Sequence, residues 1–134
     1  MEQVFETENN LVEVLNFFKK YSTKYFNTEC CGFLGKRGDK FVGQMVDNRS
    51  PEPDLYFCVD PIDFVKFSEN HDVIAIFHSH INNGAIFSEE DKNASESICI
   101  PYLLYSIMEK KFVFYIPENH EVDVKILDKV KGLI

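Results

Sequence analysis

The sequence predicts a mixed β-sheet flanked by helices, a domain of the α/β or α+β class spanning residues 1–134. Segments with the three- and four-residue apolar spacing of a helix alternate with shorter β-branched and aromatic runs of strand length. One of those runs, Val73 to Phe77, is apolar without interruption, as a strand buried on both faces of its sheet must be. The 134 residues suit one compact domain, and 45% hydrophobic residues supply its core.

In chain order, the first helix is expected over roughly Glu8 to Tyr25, because Leu11, Val14, Leu15, Phe18 and Tyr21 recur on one helical face. Cys31 to Lys36 reads as a strand, Gly38-Asp39 as a tight turn, and Phe41 to Asp47 as the returning strand. Asn48 to Asp54 holds Ser-Pro-Glu-Pro and reads as a loop, since neither proline can donate to a ladder. Leu55 to Val59 is expected to be a third short strand. Asp60-Pro61 opens the second helix, with Asp as N-cap and Pro at the first helical position; its apolar face would be Ile62, Val65 and Phe64. After the buried strand, Ser88 to Ile98 reads as helical. Pro101 to Ile107 and Phe112 to Ile116 read as a hairpin joined by Glu109-Lys110, and Val122 to Leu127 as an added edge strand.

The charge balance removes some function classes. Fourteen basic residues against 22 acidic ones leave a net charge of -8, and the basic residues are scattered, in runs no longer than two, as at Lys19-Lys20 and Lys110-Lys111. A protein that tracks phosphates needs clustered Lys and Arg. Neither nucleic acid nor an anionic membrane is therefore an expected partner. Met1-Glu2-Gln3 lacks the basic start of a secretory signal, and the apolar runs are too short to span a bilayer. Cys30, Cys31, Cys58 and Cys99 form no CxxC pair, which fits reduced thiols and a cytoplasmic location.

The segment that carries chemistry is His78-Ser79-His80, then seven residues, then Ser88-Glu89-Glu90-Asp91. In an extended chain residues two apart point to the same side, so both imidazoles can converge on one ion. Asn82-Asn83-Gly84 lets the chain turn back, and a helix capped by Ser88 would bring Asp91 to the same point. Two histidines, one carboxylate and a water make up a catalytic zinc site rather than a structural one. Each half also has a plain reading: an HxH pair is more often two ordinary histidines, and Ser88-x-x-Asp91 is more often a capping box. The two halves at this spacing reverse that balance. Glu89 and Glu90 are expected to complement the dipole of the helix starting at Ser88.

This spacing resembles the H-[ST]-H-x7-S-x2-D motif of the JAMM (MPN+) metalloprotease family. Upstream, Glu29-Cys30-Cys31-Gly32-Phe33-Leu34 is similar to the family's E-x-C-G-x-L segment. The resemblance runs from the first helix through Pro117 and implies a JAB/MPN-like, cytidine deaminase-like domain. It implies one zinc ion with a bound water, ligated by His78, His80 and Asp91. It makes Glu29 the carrier that takes a proton from that water and delivers one to the leaving nitrogen, and Ser88 the donor to the oxyanion. Ser79 would support the site. Without its family context Glu29 would read as a solvated residue near a helix end. The implied activity is hydrolysis of an amide or isopeptide bond in a peptide or protein, such as a ubiquitin-like or sulfur-carrier tail or a phage structural protein.

There are departures. Many members carry Pro after the second histidine and Pro before the serine; here those positions are Ile81 and Phe87. Asn48-Arg49-Ser50-Pro51, Phe57, Asp60-Pro61-Ile62-Asp63 and Ile100-Pro101-Tyr102 are similar to the JAB domain of phage tail-assembly proteins, so the chain is free-standing or a domain of a longer protein. A non-catalytic MPN-type scaffold is the alternative, against which the full set of five residues argues. A zinc deaminase would need H-x-E and P-C-x-x-C, which are absent. Cys31 reads as core, and His71 and His120 as surface residues without ligand spacing. Substrate and oligomeric state stay open.

Overall fold

The computed structural model of the chain describes residues 3–8 and 10–118. Six strands form one mixed sheet in the order β1-β3-β2-β4-β5-β6. These are β1 (Gln3–Glu8), β2 (Cys31–Arg37), β3 (Lys40–Val46), β4 (Asp72–His80), β5 (Tyr102–Ser106) and β6 (Lys111–Tyr115). All neighbours are antiparallel except β4 and β5, which run parallel and are linked through a helix, as a parallel crossover requires. Among the described residues there are three helices: α1 (Leu11–Lys24), α2 (Pro61–Asn70) and α3 (Glu89–Ile98). The α+β expectation holds, as do the hairpin at Gly38 (φ +59°, a conformation that favours glycine) and the hairpin closed through Glu109-Lys110.

The first helix is shorter than expected. Asn10 caps it, its side chain accepting from the Glu13 N–H, and the residues before it form β1. That strand has little apolar alternation because it lies at the sheet edge, where Phe5 stacks on Phe17 of α1 while Val4 is exposed. Leu11, Val14, Leu15 and Phe18 then bury against Leu34, Met45, Phe77 and Leu103 on one face of the sheet.

The second face carries α2 and the site. Here Phe67, not Ile62 or Val65, is the buried residue of α2; those two are 62% and 50% exposed. The helix is rotated so that Phe64 and Phe67 meet Phe33 of β2. Gly35 makes room for that approach, since a Cβ there would lie 2.6 Å from Phe67 ring carbons. The strand expected at Leu55 to Val59 does not form. Leu55 and Tyr56 turn their N–H groups back to the Glu52 carbonyl, and the Cys58 N–H goes to the Asn48 side chain, so these donors never reach a ladder. The expected strand at Val122 to Leu127 lies outside the described residues.

β4 is the axis of the fold, and residues 74–80 are all buried. Its register with β2 shifts between Leu34 and Gly35, leaving Ile74 opposite no partner. Ile74 and Ala75 therefore both pack on the α1 side. From there alternation is regular, and Ile76 packs on the second face. His78 and His80 share its side by the two-residue period of a strand.

Candidate active site

The chain brings three expected ligands together. One donor atom from each of His78, His80 and Asp91 lies within 4.8 Å of the others. His78 Nε2 stands 3.2 Å from Asp91 Oδ2, and His80 Nε2 stands 3.8 Å from the same oxygen. The histidines come from the end of β4, and the carboxylate from the first turn of α3. Ser88 caps that helix: its Oγ accepts from the Asp91 N–H at 3.0 Å, and its own N–H reaches Asp91 Oδ2 at 3.4 Å. The capping box and the cluster thus coexist, because Asp91 Oδ2 faces both the helix start and the two imidazoles. With its lone pair engaged, the Ser88 hydroxyl keeps its proton free to donate.

The two imidazoles differ. His80 Nδ1 lies 3.0 Å from the Gly84 carbonyl, which can only accept, so Nδ1 carries a proton and in the neutral ring Nε2 keeps its lone pair. Burial works to lower the His80 pKa, but Asp91, the Gly84 carbonyl and Glu29 outweigh it and raise it. His78 is fully buried and stacked on Phe57, with ring centroids 4.3 Å apart. Neither of its ring nitrogens has a hydrogen-bond partner among the described residues, the 3.2 Å approach to Asp91 not being aligned as a hydrogen bond. Burial lowers its pKa despite that carboxylate. Asp91 itself is held well below the usual carboxylate range: burial opposes this, but both histidines and the Ser88 N–H favour the ionised form.

Glu29 is not solvated. It is 4% exposed, just ahead of β2, whose first residue Cys31 pairs with His78. Burial pushes its carboxyl up to about 8, with the charge of His80 working against the shift and that of Asp91 adding to it. Its backbone is pinned on both sides: its N–H donates to the Pro53 carbonyl and its carbonyl accepts from Asn48 Nδ2. Ser79 is buried and supports the same corner, its Oγ accepting from the Cys30 N–H at 2.8 Å. Cys31 is core, and burial pushes its thiol up to about 12. His71 is half-buried against Phe67 rather than on the surface, and His120 lies outside the described residues.

Several supporting groups have no motif. The loop after β4 is held from the β5–β6 turn: Ser106 Oγ donates to the Asn83 carbonyl at 2.8 Å, and Glu109 Oε2 accepts from the Ala85 N–H at 3.1 Å. The loop passes so close that a Cβ on Gly84 would lie 2.5 Å from Glu109 Oε1. Asn48 ties the opposite wall, and an asparagine opening a Ser-Pro turn was a usable signal for a side chain bonded to nearby backbone. For Glu109 the sequence held no such signal. The walls enclose a cleft of about 1040 Å³, lined by Glu29, His80, Ser88 and Asp91 together with the apolar Leu55, Phe64 and Ile86.

A family model described as prokaryotic homologs of the JAB domain matches residues 13–125. No curated protein matches the chain. Among the solved structures that match is a protein of Desulfitobacterium hafniense determined in solution, 24% identical over 76% of this chain and 77% of that one, with a TM-score of 0.61. That likeness speaks for the fold. No described helix is long and apolar enough to cross a membrane.

Proposed function

The chain belongs to the prokaryotic homologs of the JAB domain, and on that footing we propose that it hydrolyses amide or isopeptide bonds with a zinc ion held by His78, His80 and Asp91. The observation that carries this reading is His78. A fully buried imidazole whose Nδ1 has no partner and whose Nε2 stands 3.2 Å from an ionised carboxylate, beside a second imidazole, is costly to bury unless something occupies the cluster. The donors suit zinc: two ligands of a tetrahedral ion, each at about 2.0–2.1 Å, stand ~3.4 Å apart, and the Nε2–Oδ2 separations are 3.2 and 3.8 Å.

Zinc would supply the Lewis acidity that makes a water nucleophilic near neutral pH and polarises the scissile carbonyl. The chain's residues supply the rest. Glu29 takes a proton from the attacking water and gives one to the leaving nitrogen, so it must exchange its proton near neutrality, and burial shifts it that way. Bound cationic charge would draw Glu29 back down, so the acid limb of the rate profile falls between the ordinary carboxylate range and about 8. Ser88 directs its free O–H proton at the developing oxyanion. His80 keeps Nε2 aimed inward by donating from Nδ1 to Gly84. The substrate we propose is a peptide or protein, of which a ubiquitin-like tail and a phage structural protein are two forms.

A scaffold without catalysis would leave both the buried His78 cluster and the buried Glu29 without a purpose. The test is reconstitution: metal-stripped protein should take up one zinc per chain and gain peptide or isopeptide cleavage with it. A protein that takes up no zinc would overturn the reading.

A further inference from the structure

We propose that Asn48 is the positioning residue for Glu29, holding the proton carrier and the loop over His78 as one unit. The inference rests on the hydrolase reading above, because it assigns a support to that reading's proton carrier.

The amide of Asn48 makes all four hydrogen bonds open to it. Nδ2 donates to the Glu29 carbonyl at 2.8 Å and to the Tyr56 carbonyl at 2.9 Å. Oδ1 accepts from the Ser50 N–H at 3.0 Å and from the Cys58 N–H at 2.9 Å. The Arg49 N–H adds a backbone bond to the Cys58 carbonyl at 2.8 Å. Two carbonyls and two N–H groups converge on one planar side chain, an arrangement only an amide can satisfy. The Asn48 bonds to Tyr56 and Cys58 flank Phe57, the ring stacked on His78. The bond to Glu29 joins that loop to the residue in front of β2, and the Glu29 N–H returns to Pro53 of the same loop. Cys30 is tied to Ser79 of β4, its carbonyl accepting from the Ser79 N–H at 2.9 Å, but Glu29 itself lies outside the strand and its carbonyl is held by Asn48. The proposed zinc ligands stand on β4 and α3, and His78 meets this loop through the face of its ring on Phe57, not through a ring nitrogen. Asn48 should therefore govern turnover far more than metal affinity.

Asn48→Asp separates the two halves of the amide. It keeps an acceptor for Ser50 and Cys58 but faces the Glu29 and Tyr56 carbonyls with oxygen instead of N–H. Because a misplacement of ~1 Å can cost about 10²-fold in rate, kcat should fall ~10–100-fold. KM and zinc affinity should stay within about 3-fold, below the ~10-fold that loss of a ligand's own support produces. Independently of activity, amide exchange of the metal-free variant should be ~10-fold faster or more at Glu29, a local opening of that loop. Asn48→Gln, which displaces the same amide by one methylene, gives a second route to the same readouts if the Asp variant does not fold. Wild-type turnover with an equally protected Glu29 amide would overturn the proposal. So would a rate loss matched by an equal loss of zinc affinity, which marks a general structural role. If zinc-loaded wild type cleaves nothing, the hydrolase reading fails, and amide exchange alone still decides whether Asn48 anchors Glu29.

Discussion

The two walls of the cleft are built from different kinds of backbone. On one side, the histidines stand on β4 and the carboxylate on the first turn of α3, so ladder and helix geometry set their positions. On the other, Glu29 lies between α1 and β2, outside any strand, and loop 47–60 is tied to it through Asn48 and Pro53. The first wall is stiff because its backbone bonds are regular. The second is ordered by isolated backbone bonds and by a few side-chain bonds, each of the latter removable by one substitution.

The largest expected effect lies in the stiff wall. Asp91→Ala removes the oxygen that faces both imidazoles, and zinc affinity should fall by more than ~100-fold, beyond what loss of a supporting residue produces; a chelator competition reads this directly. If affinity held, the cluster would not be the metal site. Ser88→Ala comes next. It should slow turnover by ~10²–10³ as a lost oxyanion donor, with a stability loss of about 0.5–2 kcal/mol as a lost cap. A stability change with a normal rate would reduce Ser88 to capping alone.

Glu109 tests whether the stiff wall also depends on a tether. Glu109→Ala frees the loop that carries Gly84 to His80, and zinc should bind about 10–100-fold more weakly. Glu109→Gln retains an oxygen acceptor for the Ala85 N–H and should stay near wild type. Equal losses in both variants would assign the effect to charge instead.

The smallest effect is on stability against pH in metal-free protein. The folded pKa of Glu29 lies above its ordinary value of 4.5, so the folded state binds more protons between about 4.5 and about 8. Its contribution is fully present below 4.5 and is lost as pH rises through about 8. His78 and Asp91, both lowered, act in the opposite sense, their contributions being lost as pH falls. Denaturant titrations of Glu29→Gln should therefore gain on wild type progressively across that window. A constant difference would mean Glu29 does not change its proton affinity on folding.

The contrast between the walls also sorts what could be read from sequence. Motifs record residues whose spacing is enforced by regular backbone. His78 and His80 follow the two-residue strand period, and Ser88 and Asp91 the first helical turn, so the His-His-Asp cluster was legible. The uninterrupted run before His78 placed β4 at the centre, and Asp60-Pro61 placed the start of α2. The loop half resisted because long-range side-chain bonds decide it. Leu55 to Val59 has strand composition, yet Asn48 takes the Cys58 N–H a ladder would have used. Ile62 and Val65 fit a helical face as well as Phe64 and Phe67 do, and only packing against Phe33 and Gly35 chooses between them. β1 was missed because an edge strand needs only Phe5 to meet the core.

The most direct test of the central claim pairs zinc content with cleavage in the same samples of wild type and Glu29→Gln. Both should hold one zinc per chain, and the variant should lose about 10²–10⁴-fold in hydrolysis, the range for removing a general acid–base. A variant that cleaves as fast as wild type, or a wild type that binds zinc and cleaves no peptide or isopeptide bond, would contradict the account.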